Sequence, residues 1–74
     1  MTIKVRLFAT LRQGRGKQIQ MELDETATPL QIIQKLNIAP EEVAILLING
    51  MDRPLNTQLK HQDTVSVFPP VGGG

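Results

Sequence analysis

Thr2-Ile3-Lys4-Val5-Arg6-Leu7-Phe8 alternates apolar and polar residues, and its reading decides the fold. Successive side chains of a strand point to opposite faces, so Ile3, Val5 and Leu7 share one face and Lys4, Arg6 and Phe8 the other. The segment is a half-buried strand with one anomaly: Phe8 falls on the polar side. Residues 9–17 contain Gly14 and Gly16 among charged groups and read as a loop. Gln18 to Leu23 then alternates again, with Ile19, Met21 and Leu23 facing inward. Two such runs joined by a glycine-bearing loop predict an antiparallel hairpin.

Further along, Thr28-Pro29-Leu30-Gln31 has the signature of a helix start. Thr28 suits the cap, Pro29 the first helical position, and Gln31 completes a capping box. Leu30, Ile32, Ile33 and Leu36 supply the apolar stripe. Asn37 suits a left-handed terminator and Pro40 lies beyond it, so the helix has about two turns. Pro40-Glu41-Glu42-Val43 is compatible with a single helical turn. Ala44 to Ile48 is a continuous apolar run, read as an interior strand that turns at Asn49-Gly50. Met51 to Leu55 returns as a short edge strand limited by Pro54. Leu59 is the apolar plug in an otherwise polar loop, and Thr64 to Phe68 is the last strand. There Val65 and Val67 face inward, Ser66 and Phe68 outward. This order predicts an α+β fold, a β-grasp (ubiquitin-like) mixed sheet of four to five strands covered by one helix.

A chain of 74 residues has room for one small domain, which buries roughly 60% of its extended surface and encloses no deep catalytic pocket. The domain is expected to span residues 1–68, with residues 69–74 as a flexible tail. Cysteine is absent, which removes disulfides, thiolate metal sites and thiol catalysis together. No apolar run approaches the length of a membrane span, nucleic-acid motifs are lacking, and a reducing cytoplasm is compatible with the composition. Charge is unevenly spread. Lys4, Arg6, Arg12, Arg15 and Lys17 give the first 17 residues +5 without one acid, and the remainder carries −4. Such a basic end can steer an acidic protein partner, or simply be a solvated edge.

Catalytic candidates are few. His61 is the single histidine and sits in a polar loop with no thiol or marked serine to activate, so it reads as a surface residue. Glu41 and Glu42 are adjacent and point apart, and Asp24 and Glu25 belong to a turn. Gly14-Arg15-Gly16-Lys17 lacks phosphate-loop spacing and is not followed by a helix. The chain is therefore expected to be no enzyme, with no catalytic residue, metal or bound cofactor. Phe8 and Phe68, the only aromatics, both fall on the outer face of the sheet. If the first and last strands are neighbours they form one exposed patch, which Leu47 extends, at the root of the tail.

That tail is Pro69-Pro70-Val71-Gly72-Gly73-Gly74. Two prolines favour extended backbone, and the final glycines are slim enough to enter a narrow channel with a free carboxylate at the tip. The run Val5 to Arg12 followed by a glycine loop, Leu46 to Gly50, Asp63 to Pro70 and the Gly73-Gly74 end together resemble the small sulfur-carrier family of ThiS and MoaD. MoaD is the small subunit of molybdopterin synthase. Gln62 stands where that family often has glycine, implying a slightly different turn.

The resemblance implies that an ATP-dependent adenylyltransferase of the MoeB/ThiF kind activates Gly74 as an acyl-adenylate. Sulfur from a persulfide donor then leaves a terminal thiocarboxylate. Gly72 and Gly73 would thread the tail into the partner, and Phe8, Leu47, Phe68, Pro69, Pro70 and Val71 would meet the activating enzyme and the sulfur-accepting large subunit. ATP would be used by the activating partner. The opening and the Phe-Pro-Pro ending favour molybdopterin synthesis. Carriers for thiazole or tRNA thiolation share the scaffold, and a ubiquitin-like modifier or a plain interaction module are the rivals of another class.

Overall fold

A computed structural model describes residues 1–70. Five strands form one sheet: β1 (Thr2–Leu7), β2 (Gln18–Glu22), β3 (Ile45–Ile48), β4 (Met51–Asp52) and β5 (Thr64–Phe68), with helix α1 (Pro29–Lys35) between β2 and β3. Their order across the sheet is β2-β1-β5-β3-β4. β1 pairs with β2 in antiparallel register and with β5 in parallel, so the first and last strands lie side by side. This is the β-grasp arrangement, with α1 over one face and the other face open.

The alternation of the strands fixes the core. Ile3, Val5 and Leu7 of β1 and Val65 and Val67 of β5 are fully buried, and Leu46 and Ile48 of β3 continue the same layer. Ile32 and Ile33 close it from α1, and Leu59 fills it from a loop, as its isolation among polar residues suggests. Ile19 and Met21 pack less completely because β2 is an edge. Leu11, Ala27 and Ile38 also enter the core, from segments without strand or helix periodicity.

Leu11 enters because residues 9–17 are more ordered than their composition suggests. Ala9–Arg12 forms a 3₁₀ turn. Beyond it, Arg15 donates from Nε to the Leu36 carbonyl at 2.9 Å and from Nη1 to the Leu11 carbonyl at 3.1 Å. A cation thus closes the C-terminal end of α1, where unpaired carbonyls collect.

At the other end of α1 the expected capping box is not formed, since Thr28 makes no side-chain cap bond. Backbone carbonyls take the free donors instead. The Leu30 N–H reaches the Leu55 carbonyl, and the Gln31 N–H reaches that of Thr28, each at 3.0 Å. Asn37 does end the helix in the left-handed region, with φ of 58°. Asn49 and Gly50 both have positive φ, 52° and 82°, the combination that a tight two-residue hairpin turn requires. The return strand, expected to run to Leu55, stops at Asp52.

Around β5, Asp63 accepts from the Asn49 amide and the Lys60 N–H, both at 2.8 Å. His61 accepts the Thr2 N–H on Nδ1 at 3.0 Å, so this exposed ring anchors the start of β1. Gln62 has φ of 71°. Its backbone is the left-handed one that glycine favours, and a side chain there costs about 1–2 kcal/mol. Gln62→Gly is therefore expected to stabilise the chain by about 0.5–1 kcal/mol after the added entropy of glycine. Chemical denaturation of the two proteins measures the difference.

Candidate docking surface

The register places the outer face of the sheet in rows. Arg6 of β1 stands beside Ser66 of β5, which stands opposite Leu47 of β3 and, beyond it, Asp52 of β4. One row nearer the chain's end, Phe68 stands opposite Ile45. On its other side the parallel pairing of Leu7 with Val67 brings Phe8 alongside. The rings of Phe8 and Phe68 stack with centroids 4.1 Å apart and planes 11° from parallel.

Sequence reasoning put both phenylalanines on the exposed face. The face is right, but the rings are half-buried because each covers the other. Leu47 is likewise half-buried. Ser66, expected to face outward to solvent, is only 9% exposed, flanked in register by Arg6 and Leu47. The most open apolar member is Ile45, 47% exposed. Sequence reading did not single it out, since a run of five apolar residues carries no mark of which positions face out. Its position opposite Phe68 appears only with the register.

Two guanidinium groups frame the stack. Arg6 and Arg12 lie with their central carbons 5.6 and 5.3 Å from the Phe8 ring centroid, within the range of cation–π attraction. Arg12 is held there by its Nε–H, which donates to the Leu7 carbonyl at 2.8 Å. The surface is therefore an apolar patch of two rings, Ile45 and Leu47, with a basic margin on one side.

The chain leaves the sheet at this patch. The Ala44 N–H still donates to the Phe68 carbonyl at 2.8 Å, but Pro69 and Pro70 have no N–H and cannot extend the pairing. Pro69 is half-buried and Pro70 exposed. Val71, Gly72, Gly73 and Gly74, to which the sequence assigns contact, threading and activation, lie outside the described residues.

Chemistry elsewhere is sparse. Among the described residues no group of three or more histidines and acids is placed to hold a metal. No helix among the described residues is long and apolar enough to cross a membrane. A polar hollow of about 360 Å³ is lined by Thr2, Lys4, Gln20, His61, Gln62 and Thr64, at the end of the outer face away from Phe68.

The five-stranded sheet with one helix, and a stacked aromatic pair where the last strand ends, define a small ubiquitin-like β-grasp protein. The ThiS family model matches residues 5–74, and the chain belongs to that family. A molybdopterin synthase sulfur carrier subunit from Dictyostelium discoideum is 33% identical over 82 residues, which cover 96% of this chain and 94% of that relative. Among solved structures, a putative molybdopterin converting factor subunit 1 from Pyrococcus furiosus is 27% identical. It covers 96% of this chain and 99% of its own, with a TM-score of 0.77. A complex of subunits 1 and 2 of molybdopterin-converting factor from Helicobacter pylori contains a chain 26% identical to this one. Both chains are covered completely, with a TM-score of 0.66.

Proposed function

We propose that this chain is a sulfur carrier whose cargo is bonded to the C-terminal carbonyl of Gly74, and that it serves molybdopterin synthesis. The observation that carries the reading is that the family match runs through Gly74 itself. The named role of the Dictyostelium relative favours molybdopterin over the other sulfur pathways. In the proposed sequence the Gly74 carboxylate attacks the α-phosphorus of ATP on an adenylyltransferase and releases pyrophosphate. A persulfide sulfur then displaces AMP, and a second thiol cleaves the sulfur–sulfur bond to leave the thiocarboxylate. The thiocarboxylate is delivered to a large subunit. The body supplies binding and positioning, and the chemistry of activation belongs to the partner.

This activation is tested by intact mass. After incubation with a cognate adenylyltransferase, ATP and a persulfide donor, one oxygen at Gly74 is expected to be replaced by sulfur. Unchanged mass in the presence of a demonstrably active enzyme would sink the reading. Isopeptide-linked products surviving denaturing purification would instead mark a protein modifier.

The docking role of the patch makes a separate prediction. Phe68→Ala removes one ring of the stack and is expected to weaken association with the activating enzyme or large subunit by about 1–3 kcal/mol. Because the ring is half-buried against Phe8, it also costs about 1 kcal/mol of stability, the typical size for a single substitution. Calorimetric titration and denaturation separate the two. Unchanged affinity would move the docking surface elsewhere.

A further inference from the structure

Asn49 and Gly50 form the turn between β3 and β4. In an Asn-Gly pair the glycine has no side chain to screen its nitrogen, so that nitrogen reaches the preceding carboxamide more readily than in any other pair. The reaction is simple to balance. The Gly50 nitrogen bonds to Cγ of Asn49, its proton and the side-chain NH2 leave together as ammonia, and a cyclic imide results. Water then opens the ring at either carbonyl, giving aspartate or isoaspartate.

Asn49 is exposed at the turn, yet its carboxamide is held at both ends. Nδ2 donates to Asp63 Oδ1 at 2.8 Å, and Oδ1 accepts the Thr64 N–H at 2.9 Å. The Asn49 backbone N–H donates to the Thr64 carbonyl at 2.8 Å. The clamp is itself braced, since Asp63 Oδ2 accepts the Lys60 N–H and the Asp63 N–H returns to the Lys60 carbonyl. To swing onto the Gly50 nitrogen the carboxamide must give up both of its bonds.

We propose that Asn49 is a latent deamidation site kept shut by the native fold, so that conversion proceeds through molecules in which the Asp63 clamp has opened. The product cannot reclose as before. Aspartate places an oxygen where Nδ2 donated, facing the Asp63 carboxylate without a hydrogen to share. Isoaspartate adds a main-chain carbon to a turn with room for two residues, which displaces β4 against β3.

The test follows the tryptic fragment of residues 36–60 by mass spectrometry after incubation of the full chain in mildly alkaline buffer, native and in denaturant. Asn37 and Asn56, in the same fragment but followed by bulkier residues, are internal references. Conversion at Asn49 is expected to be about tenfold or more slower in the native chain, as local opening must precede it. Asp63→Ala should raise the native rate above that of Ile33→Ala, a core truncation that leaves the clamp intact, when the two are compared at equal fraction unfolded. Equal rates in native and denatured chain overturn the proposal, as does an Asp63→Ala rate no higher than that of Ile33→Ala. If Asp63→Ala does not fold, the comparison on the unmodified chain decides alone.

Discussion

Deleting Gly74 is expected to abolish sulfur loading completely while leaving the denaturation midpoint where it was. The proposed chemistry needs the terminal carboxylate at one length of tail, and a chain ending at Gly73 presents that group one residue short of the adenylating centre. A displacement of that size at a reacting atom removes the near-attack geometry on which group transfer depends. Stability is another matter. Gly72, Gly73 and Gly74 have no side chains to bury, and substitutions away from packed or bonded features usually shift stability by less than about 0.5 kcal/mol. Single-turnover loading and a denaturant titration on the same preparation check both halves. Loading at the normal rate by the shortened chain would remove the tail from the mechanism.

Ile3→Ala should behave in the opposite way. Ile3 has no exposed surface and sits in β1, which has a strand on each side. Truncating a buried isoleucine costs about 2–5 kcal/mol, the transfer of the lost carbons plus the cavity left behind. Domains carry about 0.05–0.15 kcal/mol per residue, so a chain of this size has about 4–11 kcal/mol in all. The variant is thus expected to lose a large part of its stability, seen as a lower midpoint at unchanged denaturant slope. Whatever fraction remains folded should load sulfur normally, since no group in the proposed transfer is touched. A midpoint close to that of the parent would mean that the β1 layer is more yielding than its burial indicates.

These two variants divide the molecule much as the sequence does. The inward faces of β1 and β5 were legible because alternation of Ile3, Val5 and Leu7, and of Val65 and Val67, encodes both strand and side. Leu59 was legible as a lone apolar residue among polar ones. Leu11 was not, because it lies in a charged, glycine-containing segment whose order comes from Arg15 bonding to carbonyls of distant residues. Nor was Ile45, since the run from Ala44 to Ile48 is apolar on both faces and only pairing with Phe68 shows which side is open. The meeting of Phe8 and Phe68 followed from placing the first and last strands together. The stacking that half-buries them depends on a geometry that periodicity does not carry. At Thr28 the local signal named the helix start correctly but not its bonding, because the Leu55 carbonyl comes from a loop distant in sequence.

The interior position of β5 has a mechanical meaning. A strand at a rim can be peeled away one bond at a time, whereas β5 is gripped along both flanks by β1 and β3. A tug on the polypeptide beyond Phe68 therefore loads two ladders at once, largely in shear. Force applied at the exit of β5 is shared by its two neighbours, so the mooring holds where a rim strand would give way.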